Sequence, residues 1–496
     1  MNDSGNVGLK VRTGIKWTAI GMLSSRLSRF GANIVLARLL AVEVFGVIAM
    51  ANAAILLMTA LREAGLGQAY VQRKALEDER ESEAIDTVFA IMLLLNLVLF
   101  GAMLAVAPTV ASFFSDSVDS VLPVVRALAV LFLLDTFVAT PQYVLQRRMA
   151  FDSIARAEVT ASLTNAILAI GAALAGAGVW ALVVGQLGER IAMAVMLSRG
   201  ARWRPGLRGS MRIARGLLHF GKYLWGYALV RSVGGVMDRV VVGRVHGAGG
   251  LGGYSQAYNL CLLPSTVISR LVNRVALPAM SRMQGDLPRL RAAFVKGLEH
   301  VAFLALPIGF GLFAVSDVFV PVVYGEKWRF IAPIVDVLAG FGTVLAVASV
   351  CGPALQALGK PRVFFYTELG RQALLLVLLI LFASRGEVAV AWAILAALVV
   401  ATLFAFIVLG RLLALRMTTV IVPVSRSLVA SLGMAALVLG VRHALPASVG
   451  EPLELAIAVV VGIVGYPATS AICNRPMMQS FLRTVREVGS SRSAVS

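Results

Sequence analysis

Two stretches of the chain, IVLARLLAVEVFGVIAMA at 34–51 and VVVGRVHGAGGLGGYSQA at 240–257, match at a constant offset. The offset pairs identical residues, namely Lys16 with Lys222, Val35 with Val241, Arg38 with Arg244, Gly46 with Gly252 and Ala51 with Ala257. Two apolar stretches would share aliphatic residues by chance, but seldom Lys, Arg and Gly together. We interpret the match as an internal repeat that begins near residue 16 and again near residue 222.

The chain as a whole is too apolar for a water-soluble protein. Hydrophobic residues make up 59% of the 496 residues and charged residues 14%, whereas soluble domains have about 45–50% and 25%. The mean hydropathy is +0.85. Lipid must therefore solvate most of this surface, and the sequence predicts an all-α, polytopic membrane protein.

A bilayer core is crossed by about 20 apolar residues in a helix. At this window the chain contains about 14 transmembrane spans, near 16–38, 42–61, 84–107, 119–140, 155–175, 178–197, 217–240, 251–275, 295–316, 329–351, 363–384, 388–410, 425–443 and 452–472.

The basic residues predict the orientation of these spans. With a cytoplasmic N-terminus, about 27 Lys and Arg fall in inner segments, about 6 in outer segments and about 12 within spans. Inner segments include Arg147-Arg148 and the stretch from Arg199 to Arg215, which is either a lipid-headgroup-binding helix or a basic linker. We therefore expect cytoplasmic N- and C-termini.

Six spans per half is an even number, so both halves enter the membrane from the same side. The repeat is then parallel, and a cavity is expected at the interface between the halves. We predict a six-helix lobe at 1–200, a second six-helix lobe at 201–415, and two extra helices with a cytoplasmic tail at 416–496. Transporters have this architecture more often than membrane enzymes.

Several cations lie at depths where the bilayer is apolar. Arg26 lies about 15 Å along its helix from Lys16, and Arg29 follows on the same face. Arg231 lies one position from the repeat mate of Arg26, while Lys222 stands at the predicted cytoplasmic mouth. Intramembrane charges usually face a bundle interior or a watery cavity. These four residues therefore predict a cationic cavity that attracts an anion.

The eighth span adds a polar stripe to this candidate site. Asn259, Thr266, Arg270 and Asn273 recur at helical spacing, with Arg274 beside them. Asn259, Arg270 and Arg274 are candidate substrate-binding residues. The two arginines would alternatively lie at the inner headgroup level and extend towards water.

The alternative for every arginine is an ion pair that holds two helices together. Carboxylates in or near spans are few: Glu43, Glu63, Asp135, Glu158, Glu189, Asp238, Asp336 and Glu368. Asp135 is a candidate proton or sodium site or a helix-pairing residue, and Asp238 is either the partner of Arg239 or a contact to another helix.

Seven segments carry a resemblance to a known family: LARLLAVEVFGVIAMANA (36–53), EAGLGQAYVQRK (63–74), PQYVLQRRMAF (141–151), DRVVVGRVHGAGGLGGYSQAYNLCLLP (238–264), VALPAMSRMQGDLPRLRAAF (275–294), VVYGEKWRFIAPIVDVLA (322–339) and ALQALGKPR (354–362). Together they are distributed along residues 15–365. They resemble the polysaccharide-transporter branch of the multidrug/oligosaccharidyl-lipid/polysaccharide exporter superfamily, the lipopolysaccharide and exopolysaccharide flippases.

The resemblance implies two six-helix lobes that work by alternating access. The cargo would be an undecaprenyl-pyrophosphate-linked oligosaccharide, moved to the outer leaflet of a bacterial cytoplasmic (inner) membrane for lipopolysaccharide, exopolysaccharide or capsule biosynthesis. Family members place Arg and Lys of the first and seventh helices in the central cavity, which here corresponds to Arg26, Arg29, Lys222 and Arg231. Further partners would be membrane lipids, a polysaccharide polymerase and chain-length or export proteins.

Other functional classes fit less well. A cation-coupled multidrug antiporter needs a carboxylate-lined cavity, and a membrane polysaccharide polymerase needs catalytic groups in sizeable outer loops. The three cysteines and four histidines show no CxxC or HExxH spacing, so we expect no metal, cofactor or enzymatic chemistry. The net charge is +19, but the basic residues lie in short clusters between apolar runs and not in one patch, which argues against nucleic-acid binding.

Overall fold

The computed structural model describes residues 21, 24–62, 70, 81–114, 118–206, 210, 213, 232–446, 448–480 and 483. Every regular element within these ranges is a helix, which confirms the all-α prediction. In chain order the helices are α1 (24–39), α2 (Val42–Arg62), α3 (Glu81–Phe113), α4 (Val118–Arg147), α5 (Phe151–Leu174), α6 (Val179–Ala201), α7 (Met237–Ser281), α8 (Leu287–Tyr324), α9 (Ala332–Ala348), α10 (Cys351–Ala357), α11 (Pro361–Phe382), α12 (Glu387–Leu412), α13 (Met417–Ala444) and α14 (Glu451–Cys473), with a 3₁₀ segment at Glu326–Ile331 before α9 and another at Ala383–Arg385.

Within the described residues, 11 helices are long and apolar enough to cross a membrane. They coincide with the second to sixth and the ninth to fourteenth predicted spans. The first and seventh spans, 16–38 and 217–240, lie partly outside the described residues. The eighth, 251–275, lies in the part of α7 that follows a break at Gly247, whose φ of 67° and ψ of −166° are not helical. Some side chains of this span are outside the described set. The count of about fourteen therefore stays a prediction.

Large aliphatic side chains cover the outer faces of these helices. Ile167 is 70% exposed, Ile380 75% and Ile472 77%. Exposing such a side chain to water would cost a free energy of roughly 25 cal/mol per Å² of apolar surface, whereas contact with lipid has no such cost. The chain is a multi-pass membrane protein.

The chain forms two compact units, Met1–Gly252 (unit 1) and Gly253–Ser496 (unit 2). In unit 1, α4 packs against α3 and α6, and α5 packs against α6. Val88, Leu145 and Leu197 belong to the buried core between them. The predicted domain boundaries at 200/201 and 415/416 remain predictions.

The repeat mates Gly46 and Gly252 bring α2 and the first part of α7 into direct contact within unit 1. A Cβ atom on Gly46 would overlap the backbone of Ala248, and one on Gly252 would overlap the carbonyl of Val42. Only hydrogen fits at both positions, as at other close helix crossings in membranes. The pair of glycines that aligns the two halves of the sequence thus forms a close packing contact between two helices.

In unit 2 the hairpin of α13 and α14 packs along α8. Ala314 and Val315 of α8 form a small core with Ala435, Val438 and Ala458. Helix α8 begins where the side chain of Asp286 accepts a hydrogen bond of 3.1 Å from the backbone N–H of Arg289. It ends at a glycine whose φ of 104° suits a residue without a side chain.

Candidate functional site: a charge cluster in unit 1

Five charged residues from four helices form a chain of contacts inside unit 1. Arg62 Nη1 at the end of α2 donates to Asp135 Oδ2 of α4 at 2.6 Å. Arg190 Nη1 of α6 lies 3.4 Å from Asp135 Oδ1. Its chain neighbour Glu189 accepts at Oε1 from Arg29 Nη2 of α1 at 2.8 Å. We call Arg29, Arg62, Asp135, Glu189 and Arg190 the unit 1 charge cluster.

Asp135, Glu189 and Arg190 lie within the apolar runs of their helices, whereas Arg62 is the last residue of α2. At about 1.5 Å per residue, Asp135 is about 26 Å from the start of α4, and Glu189 is about 15 Å from the start of α6. Isolated charges at such depths are costly and usually pair with one another. The same packing that joins α2, α4 and α6 therefore also joins their charges. A buried hydrogen bond of 2.9 Å from Asn96 to Thr136 lies beside Asp135 in sequence.

The two ends of the cluster differ in exposure from its middle. The side chains of Asp135 and Arg62 are 14% and 16% exposed, whereas those of Arg29 and Arg190 are 48% and 44% exposed. Three guanidinium groups face two carboxylates, so the cluster keeps one positive charge. The excess sits on half-exposed arginines, which have donors left for an anion.

Arg29 shows this reserve of donors clearly. Among the described residues its guanidinium contacts Glu189 through Nη2, and this is its one protein partner. A guanidinium has five N–H donors in a fork that fits phosphate and carboxylate oxygens. Arg29 can therefore keep its bond to Glu189 and still bind a second anion.

The structure places the predicted residues of the first half in different surroundings. Arg26 is half-buried on α1, three residues from Arg29, and has its own contacts within the protein. Asp135 lies between two arginines, an arrangement that favours helix pairing over sodium binding because the neighbouring charges repel a cation. Asp238 is buried, 4% exposed, in the first turn of α7 and is engaged in contacts.

The other predicted site residues lie in unit 2 or outside the described residues. Asn259 and Arg270 are both exposed on α7 in unit 2. Arg274 lies on the same helix, but its side chain is outside the described set, and Lys222 and Arg231 lie outside the described residues altogether. A role for these residues in substrate binding remains a prediction.

Sequence reasoning missed Arg62 and Arg190. Arg62 lies at the last turn of α2, where it reads as an ordinary inner-side cation. Arg190 lies within the predicted span 178–197, and the mid-membrane rule that selected Arg26 should also have selected it. The adjacent Glu189 concealed the signal, because a neighbouring pair of opposite charges looks neutral in sequence.

Residues 35–333 match the family described as "Polysaccharide biosynthesis protein". The chain belongs to this family. It is 29% identical over 323 residues to the teichuronic acid biosynthesis protein TuaB of Bacillus subtilis, a match that spans 64% of the chain and 65% of TuaB. It is 26% identical over 369 residues to the lipopolysaccharide biosynthesis protein WzxC of Escherichia coli, spanning 72% of each protein.

The fold agrees with this membership. The structure of the lipid II flippase MurJ in an inward closed conformation superposes with a TM-score of 0.76 at 16% identity, over 94% of the chain and 100% of MurJ. The family match confirms the resemblance to polysaccharide biosynthesis proteins. This member of the polysaccharide biosynthesis family therefore has the fold of a solved lipid flippase.

Proposed function

We propose that this protein moves an undecaprenyl-pyrophosphate-linked oligosaccharide from the cytoplasmic to the outer leaflet of a bacterial inner membrane. The observation that carries the proposal is the excess guanidinium charge of the unit 1 charge cluster, in which Asp135 and Arg190 belong to helices long and apolar enough to cross a membrane. A pyrophosphate and its glycan do not cross hydrocarbon unaided, because neither finds a replacement for its hydration there. The half-exposed heads of Arg29 and Arg190 supply that replacement for the phosphate oxygens.

Arginine suits this task better than lysine. Its planar fork donates two parallel hydrogen bonds to a phosphate, and it stays charged at any physiological pH. The same excess of positive charge disfavours an organic cation, which is why we prefer a flippase to a multidrug antiporter. Alternating access of the two repeat-related lobes would then expose the bound head to one leaflet at a time.

The proposal also includes cytoplasmic N- and C-termini, as the positive-inside count predicts. A polysaccharide polymerase and chain-length or export proteins would act on the delivered repeat unit in the outer leaflet. The two named relatives support a role in polysaccharide biosynthesis, in which such units are supplied.

Deletion of the gene followed by lipid analysis tests the function. We expect lipid-linked oligosaccharide to accumulate in the inner leaflet, and surface polysaccharide to be lost. Complementation with the intact chain should restore both, as should Arg156→Gln, an exposed arginine that pairs with Asp152 of its own helix. Absence of any assembled repeat unit in the deletion strain would instead identify a synthetic role and refute the proposal.

A further inference from the structure

Unit 2 contains a cavity of about 500 Å³ where α8 and α13 begin and α14 ends. Helix α8 lines it with one face, since its lining residues Pro288, Arg291, Val295 and Glu299 recur every three or four positions. By the positive-inside count this end of the unit is cytoplasmic. No part of the proposed transport mechanism uses this cavity.

The lining of the cavity is basic. Arg291, Lys296 and Arg426 face one carboxylate, Glu299, so the lining keeps two positive charges. Within the described part of the chain none of the three cations forms an ion pair. The Nε of Arg291 is buried without a hydrogen-bond partner. A buried donor in this state costs about 1–3 kcal/mol, which an anionic acceptor would recover.

Apolar side chains line the rest of the same cavity. Val295 of α8, Leu415 before α13 and Met477 after α14 line it beside the cations. A small soluble anion would make no favourable contact with these apolar side chains. A phospholipid would, because it combines a phosphate with glycerol and acyl chains. Basic pockets between transmembrane helices on the cytoplasmic side are typical sites of acidic lipid headgroups.

We propose that this cavity binds the phosphate headgroup of an acidic membrane phospholipid. The phosphate accepts hydrogen bonds from Arg291 and Arg426, with Lys296 adding charge, and the acyl chains leave along the apolar wall. Because the three cations come from α8 and α13, a bound lipid links the C-terminal hairpin to α8. The lipid is a stabilising ligand here and not the transported cargo, so the proposal stands whether or not the proposed transport function does.

Native mass spectrometry of the purified full-length chain tests this proposal, with cardiolipin or phosphatidylglycerol as the probe and phosphatidylcholine as the neutral reference. Each cation near an acidic headgroup is worth about 1 kcal/mol, or roughly a fivefold change in affinity. The triple variant Arg291→Gln, Lys296→Gln, Arg426→Gln should therefore weaken binding of the acidic lipids on the order of a hundredfold. Binding of phosphatidylcholine should not change.

A second triple variant is the matched control. Arg282→Gln, Arg289→Gln and Arg475→Gln remove the same charge from exposed positions near this end of the unit, and should leave acidic-lipid affinity within a few-fold. If the first triple variant fails to fold, the single variant Arg291→Gln should still weaken binding about fivefold. Equal loss in both triple variants, equal binding of phosphatidylcholine, or displacement of the lipid by millimolar inorganic phosphate would overturn the proposal.

Discussion

The unit 1 charge cluster contrasts with a second group of ion pairs in unit 2. In unit 2, Arg442 near the end of α13 donates to Asp317 and to Glu454, each at 2.8 Å. Arg329 donates to Glu326 and to Glu451, each at 2.6 Å. Both arginines lie at the ends of helices, where α8, α13 and α14 meet the turn at 326–331. We call these six residues the unit 2 end cluster.

The difference between the two clusters is the ratio of charges. The unit 2 end cluster has two guanidinium groups and four carboxylates, so each arginine is saturated with acceptors. Arg442 also donates to the carbonyl of Ala314 at 2.6 Å and is only 12% exposed. The unit 1 charge cluster has the opposite excess, and its exposed arginines have donors to spare. A buried arginine saturated with carboxylates, such as Arg442, holds helices together, whereas one with free donors can also bind an anion.

The largest expected effect is on stability, at the centre of the unit 1 charge cluster. Asp135→Leu leaves the guanidinium groups of Arg62 and Arg190 without their shared carboxylate at bilayer depth. Breaking a buried pair from one side costs about 3–5 kcal/mol. We expect a large fall in melting temperature for the purified protein in detergent. An unchanged melting temperature would show that this carboxylate does not hold α2, α4 and α6 together.

A smaller loss is expected at the saturated arginine of unit 2. Arg442→Met removes hydrogen bonds to two carboxylates and a carbonyl, and bonds to charged groups are worth about 1.5–3 kcal/mol. Asp317 is 61% exposed, and water replaces part of this interaction. The melting temperature should fall, while transport per folded molecule should stay the same. Loss of transport by a stable Arg442→Met protein would contradict the claim that the unit 2 end cluster only stabilises the fold.

The excess of positive charge in unit 1 can be increased as well as removed. Glu189→Gln takes away the carboxylate that competes for Arg29, so the affinity for a lipid-linked pyrophosphate should rise several-fold. The pair is partly exposed, and such pairs are worth about 0.2–1 kcal/mol, so the melting temperature should change little. Binding measured with the purified chain checks this, and weaker binding by Glu189→Gln would mean that the carboxylate helps to hold the substrate.

The smallest effect is expected at Arg329. Its two ion pairs are exposed to solvent, and exposed pairs contribute little to stability. Arg329→Gln should leave both melting temperature and transport unchanged within error. A change as large as that of Arg442→Met would show that pairing alone, and not burial, determines the contribution of an arginine in the unit 2 end cluster.

The sequence was sufficient to predict the fold class and most of the spans. A run of about 20 apolar residues can hardly be anything but a membrane helix, so spans such as 84–107 and 388–410 were found with their neighbours. The repeat also aligned Gly46 with Gly252. That the two glycines pack α2 against α7 could not be predicted, because a sequence match does not show which helices touch.

The sequence predicted which charged residues lie within the membrane spans, but not which of them form ion pairs. Arg26, Arg29 and Asp135 were selected because charges are rare inside a bilayer. Which carboxylate meets which arginine depends on the rotation and crossing of each helix, and a sequence contains little information on either. The two arginines beside the Asp135 carboxylate favour a helix contact, and the choice between a proton or sodium site and a helix contact stays a prediction.

Equilibrium binding of an undecaprenyl-pyrophosphate-linked oligosaccharide to the purified full-length chain tests whether the excess charge of unit 1 holds the anionic head. The double variant Arg29→Gln, Arg190→Gln should bind on the order of tenfold or more weakly, at about fivefold per cation. Arg329→Gln is the control with one arginine removed from unit 2, and it should bind like the unmodified chain. Equal affinity for all three proteins would contradict the account, since the head would then be held without the exposed arginines of the unit 1 charge cluster.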